Sequence, residues 1–349
     1  MFVNSPVFAC QTTTPALVRV RSPARLHLGF LDLNGGLGRK FGSIGMAIDS
    51  HYTELQVSRS AQSTISGLTE SAPQYPRLLQ IQSDFFASLG QHIEAKDQTL
   101  SIHIHQLIPE HAGLGSGTQL ALSLGHALCQ LYGIDATAEA IAQALGRGKR
   151  SGIGISSFEH GGFVIDAGID SRSSSMPLTL MRLPFPSDWT VVLIFDNSQQ
   201  GVHGSVERSA FSDLPAFPRH AAETICHRTL MQLAPALLSN NLDDFSEAVT
   251  EIQRLIGSHF APIQGGQYAS AQVAKLLDYA HSLGFRGVAQ SSWGPTGCIF
   301  TTNPKSAQAL IQQLTEYSAT RADEFNHLSF VAAQCDTSGA MTTTKQQNI

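Results

Sequence analysis

The clearest chemical pattern in the chain is a glycine-rich turn that runs directly into an amphipathic helix. The sequence reads Ile108-Pro-Glu-His-Ala-Gly-Leu-Gly-Ser-Gly-Thr118, and leucines at helical spacing follow it. Glycine lets the backbone approach an anion, and the first N–H groups of a helix have no partner inside the helix. A plain connection whose Ser116 or Thr118 only caps the helix would give the same pattern. The predicted phosphate site consists of Gly113, Leu114, Gly115, Ser116, Gly117 and Thr118.

Cationic side chains that could close around a phosphate lie in other segments. Arg147, Lys149 and Arg150 precede a second glycine turn, where guanidinium groups suit a phosphate or a carboxylate. Arg25 and His27 share one face of a predicted strand that could line a cleft. Both groups have a structural alternative. The first could be a solvated helix end, and the second could be a surface arginine beside a histidine that is hydrogen-bonded within the protein.

Two further segments carry candidate active-site residues. Glu159 and His160 precede Gly161-Gly162, where a chain reversal can aim both side chains into a cleft. With His27 they are the predicted catalytic residues. Glu159 would stabilise a cationic centre or bind a metal ion, and His160 would contact a phosphate or move a proton. The other segment lies between two predicted strands and contributes Ser291, Ser292, Trp293 and Gly294.

The chemistry of that second segment follows from its side chains. The two serine hydroxyls could meet a phosphate, and Trp293 could form the wall of an aromatic pocket, although tryptophan more often belongs to the core. The Gly113–Gly117 turn matches neither the GxGxxG register of dinucleotide-binding proteins nor a Walker A loop, which excludes those two classes. No dense cluster of carboxylates or histidines stands out, so the metal ligands are left unassigned.

Strands and helices mix in the first half of the chain and alternate in the second. Short strands are predicted at Leu17–Val20, Leu26–Leu33, Ser43–Ile48, Tyr52–Val57, Leu100–Ile104, Trp189–Asp196, Gly287–Gln290, Gly297–Thr301 and Leu328–Gln334. Helices are predicted at Ser116–Leu131, Thr137–Leu145, Arg219–Leu238, Leu242–Ile256, Gln267–Leu283 and from Pro304. The pattern predicts an α+β protein with domains at 17–175 and 176–335 and flexible ends at 1–16 and 336–349.

Composition indicates a globular protein and leaves anionic small molecules as allowed ligands. The 349 residues are 42% hydrophobic with a net charge of -5, which disfavours nucleic acid or an anionic membrane as the main partner. The five scattered cysteines suggest buried thiols in a reducing cytoplasm. No secretory signal or membrane-spanning run is apparent, so a cytoplasmic location is expected.

Three motifs in order resemble those of the GHMP kinase superfamily. They are Ser22-Pro-Ala-Arg-Leu-His-Leu-Gly29, the Gly113–Gly117 turn and Gln290-Ser-Ser-Trp-Gly-Pro-Thr-Gly297. More narrowly, four stretches are similar to the β-ribofuranosylaminobenzene 5′-phosphate synthase family, and the similarity covers most of residues 17–335. The four stretches are Ser22–Asp49, Pro109–Ala121, Arg147–Asp166 and Gln290–Gly297.

The resemblance implies a two-domain GHMP kinase fold, with a ribosomal-S5-like N-terminal domain and a ferredoxin-like C-terminal domain. It also implies transfer of ribose 5-phosphate from phosphoribosyl pyrophosphate to 4-aminobenzoate or 4-hydroxybenzoate, with loss of pyrophosphate and carbon dioxide. Such an enzyme would serve the biosynthesis of methanopterin-type one-carbon carriers. Mg²⁺ held mainly by substrate oxygens and a homodimer are further expectations from this family and its chemistry.

Two alternatives share the fold. A GHMP kinase would use ATP, but its catalytic Asp is missing from Gly152-Ile-Gly-Ile-Ser-Ser-Phe-Glu-His160, and the next Asp is Asp166 inside a predicted strand. Glu159 would have to substitute as the base. A binding protein without activity is the other alternative, which the cationic and acidic residues named above disfavour.

Overall fold

The computed structural model describes residues 15–173, 175–198 and 214–346. Most of the predicted flexible N-terminus, residues 1–14, lies outside the described residues. The described strands are β1 Leu17–Asp32, β2 Arg39–Arg59, β3 Thr64–Ser66, β4 Leu100–Gln106, β5 Phe163–Asp166, β6 Ile169–Asp170, β7 Thr179–Leu183, β8 Thr190–Asp196, β9 Val288–Gln290, β10 Gly297–Thr301, β11 Leu328–Ala333 and β12 Met341–Lys345. The described α-helices are α1 Gln74–Ala87, α2 Ser116–Tyr132, α3 Ala138–Ala144, α4 Ile153–His160, α5 Arg219–Arg228, α6 Ala234–Leu238, α7 Leu242–Gln264, α8 Ala271–Ser282, α9 Pro304–Ala319 and α10 Ala322–Phe325.

The first sheet contains eight of the described strands, built around the long antiparallel pair β1 and β2. Each of these strands replaces two of the predicted short ones. The predicted gap between Val20 and Leu26 is continuous strand, and the register of β1 shifts between Pro23 and Ala24 and between His27 and Gly29. Such bulges bend a strand without ending it. The sheet extends through β5 to β7 and so continues past the predicted domain boundary after residue 175.

The second sheet has the order β11-β8-β10-β9, and all its described pairs are antiparallel. Its central strand β8 is buried at every position, as its uninterrupted apolar sequence predicts. Helices α8 and α9 pack on this sheet. The predicted α+β class is therefore confirmed. The predicted helix 219–238 is divided by a π-helical turn at Thr229–Leu233.

Strand β1 takes part in two hydrophobic cores, and this position places the candidate site. Val18 and Val20 belong to a core with α1 and α2, whereas Leu26 and Leu28 belong to a core shared with Ile252 of α7. The second half of β1 therefore connects the two sheets and their helices. Its alternate residues, Arg25 and His27, lie where these two parts of the protein meet.

The end of the chain is not a frayed tail, so the prediction for residues 336–346 was wrong. Strand β12 pairs with Leu17–Arg21 at the edge of the first sheet. The segment before it packs on the end of α4, where the Ala340 N–H donates to the Phe158 carbonyl and the Asp336 carbonyl accepts from the Gly162 N–H at 2.6 Å. The threonines of β12 are β-branched residues that favour strands.

Candidate active site

The glycine-rich turn has the backbone geometry that its sequence predicts. Gly113 and Gly115 both have φ of +81°, a conformation that side-chain-bearing residues rarely adopt. A Cβ on Gly113 would stand 2.1 Å from the Ser291 carbonyl oxygen, so only glycine fits there. Helix α2 begins directly after the turn, and among the described residues the N–H groups of Ser116 and Gly117 find no acceptor. These donors are available to an anion.

Two arginines lie beside this helix start, and a third lies near one of them. The Arg25 guanidinium donates to the Gly113 carbonyl, and its Cγ would lie 3.1 Å from a Cβ on Gly115. The Arg77 guanidinium would lie 3.0 Å from a Cβ on Gly117. Burial lowers the pKa of Arg147, and the nearby charge of Arg77 lowers it further. The turn is therefore a concentrated positive site.

Arg77 is a candidate functional residue that was not predicted from the sequence. It lies on α1, far from any glycine motif in the sequence, and only packing of α1 against α2 brings it to the turn. Its guanidinium also pairs with Glu110 at 3.1 Å, so one carboxylate already partly neutralises it. Its helix was not predicted either, and only a helical pattern around Leu78, Ile81 and Phe85 could have revealed it.

The Ser291–Gly294 segment holds the turn and β1 together. The Ser291 hydroxyl donates to the Gly113 carbonyl at 2.8 Å and accepts from the His27 N–H at 3.1 Å. The Ser292 N–H donates to the His27 carbonyl at 2.8 Å. Three segments that the sequence predicted separately are thus bonded directly to one another. Ser291 is buried and serves as a bridge between backbones.

A narrow cavity adjoins this junction on the side of helix α7. It encloses about 40 Å³ and is partly open, with the rings of Phe30, Phe260 and Trp293 among its walls. Phe260 meets Trp293 edge-on with ring centroids 4.5 Å apart. The prediction that Trp293 could line an aromatic pocket agrees with this position. The other polar lining residues are His27, Ser292 and the glutamines Gln253, Gln264, Gln267 and Gln290.

The His27 ring is neutral in this cavity. Complete burial lowers its pKa to about 3, and the positive charge of Arg25 contributes to the shift. Arg25, which bonds to the turn, is therefore also close enough to His27 for its charge to affect the ring. The edge of Phe30 packs against the His27 ring with centroids 4.7 Å apart. His27 can therefore exchange hydrogen bonds with a ligand but does not carry charge near neutral pH.

The glutamines around the cavity are fixed by the protein. Gln253 donates to the Leu28 carbonyl at 2.6 Å and accepts from the Gln290 N–H at 2.9 Å. The Gln290 side chain donates to the Ser292 carbonyl at 2.8 Å, and the Gln264 side chain donates to the Gln267 carbonyl at 2.9 Å. These amides therefore form a rigid, uncharged lining.

Helix α4 supports the turn from behind. Its residue Gly154 accepts a 2.8 Å hydrogen bond from the Gln119 side chain, and a Cβ there would stand 3.0 Å from Thr118. Asp166 stabilises the start of α4 by accepting from the Gly152 N–H at 2.9 Å. Burial raises the Asp166 pKa to about 6 despite these hydrogen bonds. Asp166 therefore stabilises the start of α4, and this contact gives no support to a role as the catalytic base of a kinase.

The remaining predicted residues lie apart from the turn. Glu159 and His160 occupy the exposed end of α4, about 10 Å along the helix axis from its start, with the imidazole Nε2 3.5 Å from a Glu159 oxygen. Exposed Lys149 lines a second cavity of about 250 Å³ together with Arg147, and Arg150 is half-buried nearby. The structure therefore gathers Arg25, His27 and the Ser291–Gly294 segment at the turn, but not Glu159, His160 or Lys149.

The described residues contain no group of three or more His, Cys, Asp or Glu side chains arranged to hold a metal ion. Glu110, which pairs with Arg77, is one carboxylate near the turn. A single carboxylate does not make a protein cage for Mg²⁺, which usually keeps several waters and binds substrate phosphates.

Comparison with known proteins defines first the class and then the family. Residues 81–162 match the GHMP kinases N terminal domain, and residues 233–319 match the GHMP kinases C terminal domain. Solved structures agree: a homoserine kinase from Cytophaga hutchinsonii superposes with a TM-score of 0.64 at 18% identity, covering 97% of this chain and 100% of that one. Mevalonate-3-kinase from Thermoplasma acidophilum gives 0.64 at 14% identity, covering 95% and 100%. The chain has the GHMP kinase fold.

Within that class, sequence similarity is stronger to one group of proteins. The chain is 31% identical over 320 residues to beta-ribofuranosylphenol 5′-phosphate synthase of Archaeoglobus fulgidus, covering 88% of this chain and 95% of the relative. It is 32% identical over 299 residues to the protein of that name from Methanocaldococcus jannaschii, covering 79% and 87%. The chain belongs to the beta-ribofuranosylphenol 5′-phosphate synthase family, which confirms the family and the pentosyltransferase class predicted from its motifs. No helix of the described residues is long and apolar enough to cross a membrane.

Proposed function

We propose that the protein transfers ribose 5-phosphate from phosphoribosyl pyrophosphate to a 4-substituted benzoate, with release of pyrophosphate and carbon dioxide. The observation that carries this proposal is the start of α2, where available N–H groups lie beside the guanidinium groups of Arg25 and Arg77, with the charge of Arg147 close to Arg77. A donor with several phosphate groups needs such a site, because its leaving group departs as a polyanion.

The donor's diphosphate binds at the turn in this proposal. The Arg25 and Arg77 side chains lie beside two different residues of the turn, Gly115 and Gly117, so they can bind two phosphate groups together. Arg77 would exchange its bond with Glu110 for a bond with the diphosphate. The arginines favour the departing pyrophosphate more than the bound donor, since the negative charge at that end grows as the bond breaks.

The bond changes follow from the chemistry of the two substrates. The bond between ribose C1 and the diphosphate oxygen breaks, and its electron pair leaves with the pyrophosphate. A new bond forms from C1 to the ring carbon that carries the carboxylate. Carbon dioxide then leaves that carbon, and its bonding electrons restore the aromatic ring. No ring proton has to be removed, so this step needs no carboxylate base at the turn.

Mg²⁺ is part of the proposal as an ion bound by the diphosphate oxygens, where it would offset their charge. The relatives are named for a ribofuranosylphenol, so 4-hydroxybenzoate is the first acceptor to test and 4-aminobenzoate the second. We further propose that the product enters methanopterin-type cofactor biosynthesis in the cytoplasm and that the enzyme is a homodimer. Gel filtration of the purified chain tests the dimer.

The test of the reaction is release of labelled carbon dioxide. The full chain is incubated with phosphoribosyl pyrophosphate, Mg²⁺ and carboxyl-labelled 4-hydroxybenzoate or 4-aminobenzoate. Label should be released only when donor and acceptor are both present, in step with pyrophosphate. Arg77→Gln should reduce the rate strongly, whereas Arg219→Gln, at an exposed arginine of α5, should not. No release with either acceptor would refute the proposal.

A further inference from the structure

The cavity between β1, α7 and the Ser291–Gly294 segment differs sharply in charge from the neighbouring phosphate site. Among the described residues that line it, none is Asp, Glu, Lys or Arg. Its polar groups are a buried histidine, a serine and four amides, and hydrogen bonds to the protein fix those amides. A charged ligand group that entered this lining would lose its water without gaining an opposite charge.

The cavity also meets the phosphate turn directly. Ser292 and Trp293 line the cavity, while their neighbours Ser291 and Gly294 touch Gly113 of the turn. Arg25 lies on the turn side and His27 on the cavity side of the same strand segment. A molecule that spans this junction therefore passes from a cationic environment into an uncharged, aromatic one.

On this basis we propose that the cavity is the acceptor subsite, that it binds the uncharged para edge of the benzoate ring, and that His27 recognises the para hydroxyl or amino group. This inference rests on the proposed function. The ring's carboxylate remains at the cavity mouth near Arg25, so the carbon to be attacked faces the donor. The hydroxyl lies deepest and exchanges a hydrogen bond with the His27 ring.

The size of the cavity supports this orientation. Its 40 Å³ would hold about three water molecules, whereas a cavity on the order of 150 Å³ accommodates a whole benzene ring. The substituted edge of a ring therefore enters first, and the rest of the ring requires Phe30 or Trp293 to shift. Aromatic walls suit the faces of such a ring.

The experiment measures binding without turnover, by calorimetry on the full chain with inorganic diphosphate in place of the donor. The probes are 4-hydroxybenzoate, 4-aminobenzoate and terephthalate, which carries a second carboxylate at the para position. The first two should bind, and terephthalate should bind at least about 100-fold more weakly. If the arginines alone governed binding, the dianion would bind as well or better, and that result would overturn the inference.

The second part of the experiment introduces a charge into the cavity. Gln264→Lys places a cation in the lining near the end of α7, where the helix dipole favours it. It should improve the affinity for terephthalate relative to 4-hydroxybenzoate by at least about tenfold. Gln312→Lys adds the same charge at an exposed position of α9 and should leave the ratio unchanged. Phe30→Lys serves as a second cavity variant if Gln264→Lys does not fold.

The outcomes separate the two proposals. If carbon dioxide is released but the binding ratio is unchanged in both cavity variants, the proposed acceptor subsite is refuted and the proposed reaction is supported. If the expected binding pattern is found but no carbon dioxide is released, the proposed subsite is supported and the proposed reaction is refuted.

Discussion

Replacing His27 with glutamine should change how the stability of the protein depends on pH. The His27 ring is completely buried, and burial lowers its pKa to about 3 from an ordinary value of 6.5. Between these two values the unfolded chain binds more protons than the folded one. The stability that comes from keeping the ring neutral is therefore complete above pH 6.5 and is lost as the pH falls toward 3.

The magnitude follows from the size of the shift. One pKa unit corresponds to about 1.4 kcal/mol, so lowering the pH from 7 to 5 should cost the native protein about 2 kcal/mol through this one residue. His27→Gln has no group that titrates there and should lack this part of the pH dependence. Asp166, whose raised pKa of about 6 acts in the opposite direction, is present in both proteins and cancels in the comparison.

The assay is urea unfolding of both proteins at pH 7 and pH 5, with the slope of the transition checked for constancy. The native protein should lose about 2 kcal/mol more than His27→Gln between the two pH values. His92→Gln, at an exposed position, serves as the control for loss of an imidazole and should behave like the native protein. Equal losses in the native protein and in His27→Gln would refute the argument that His27 is buried and neutral.

Three further predictions concern the turn, the arginines and the last strand. Arg77→Gln should weaken binding of inorganic diphosphate at least about tenfold in calorimetry, because a charge-assisted hydrogen bond is lost, while Arg219→Gln should have no effect. Gly113→Ala should lower the free energy of unfolding by several kcal/mol more than Gly265→Ala, because both have positive φ but only the first has backbone within 2.1 Å of the new Cβ. Removal of residues 341–349 should lower the free energy of unfolding by about 1 to 3 kcal/mol, since five cross-strand pairs with β1 are lost, and removal of residues 347–349 alone is the control.

Each of these has a result that would contradict it. Unchanged diphosphate affinity in Arg77→Gln would place that guanidinium outside the anion site. Equal costs for the two glycine variants would mean that the turn does not touch Ser291. If hydrogen exchange at Leu17–Arg21 were as slow without β12 as with it, the pairing of the first and last strands would be disproved.

The parts of the site that the sequence predicted are those encoded locally. The turn before α2 has glycines where positive φ is needed and a clear helical pattern after it, so both turn and helix were predicted correctly. Arg77 could not be found in this way, because its contact with Gly117 depends on how two helices pack. Long-range packing leaves no short pattern in the sequence.

At the glycine pair after His160, the sequence predicted the turn but not the direction of the side chains that precede it. Gly161 and Gly162 do reverse the chain, as predicted, but helix α4 extends up to them and carries Glu159 to its exposed end. The reversal joins α4 to β5 and the C-terminal segment, and does not aim the two side chains at the turn. The missed strand β12 had a usable signal in Thr342–Thr344, but its polar composition resembled that of a flexible tail.

The pairing of β1 with β12 has a consequence for the synthesis of the protein. Met341–Lys345 pair with Leu17–Arg21 but are synthesised long after them, because the two strands lie far apart in the sequence. During translation one edge of the first sheet therefore stays open while the chain between the two strands is made. That edge can pair with a strand of another nascent chain, so a chain truncated before Met341 should be prone to aggregate.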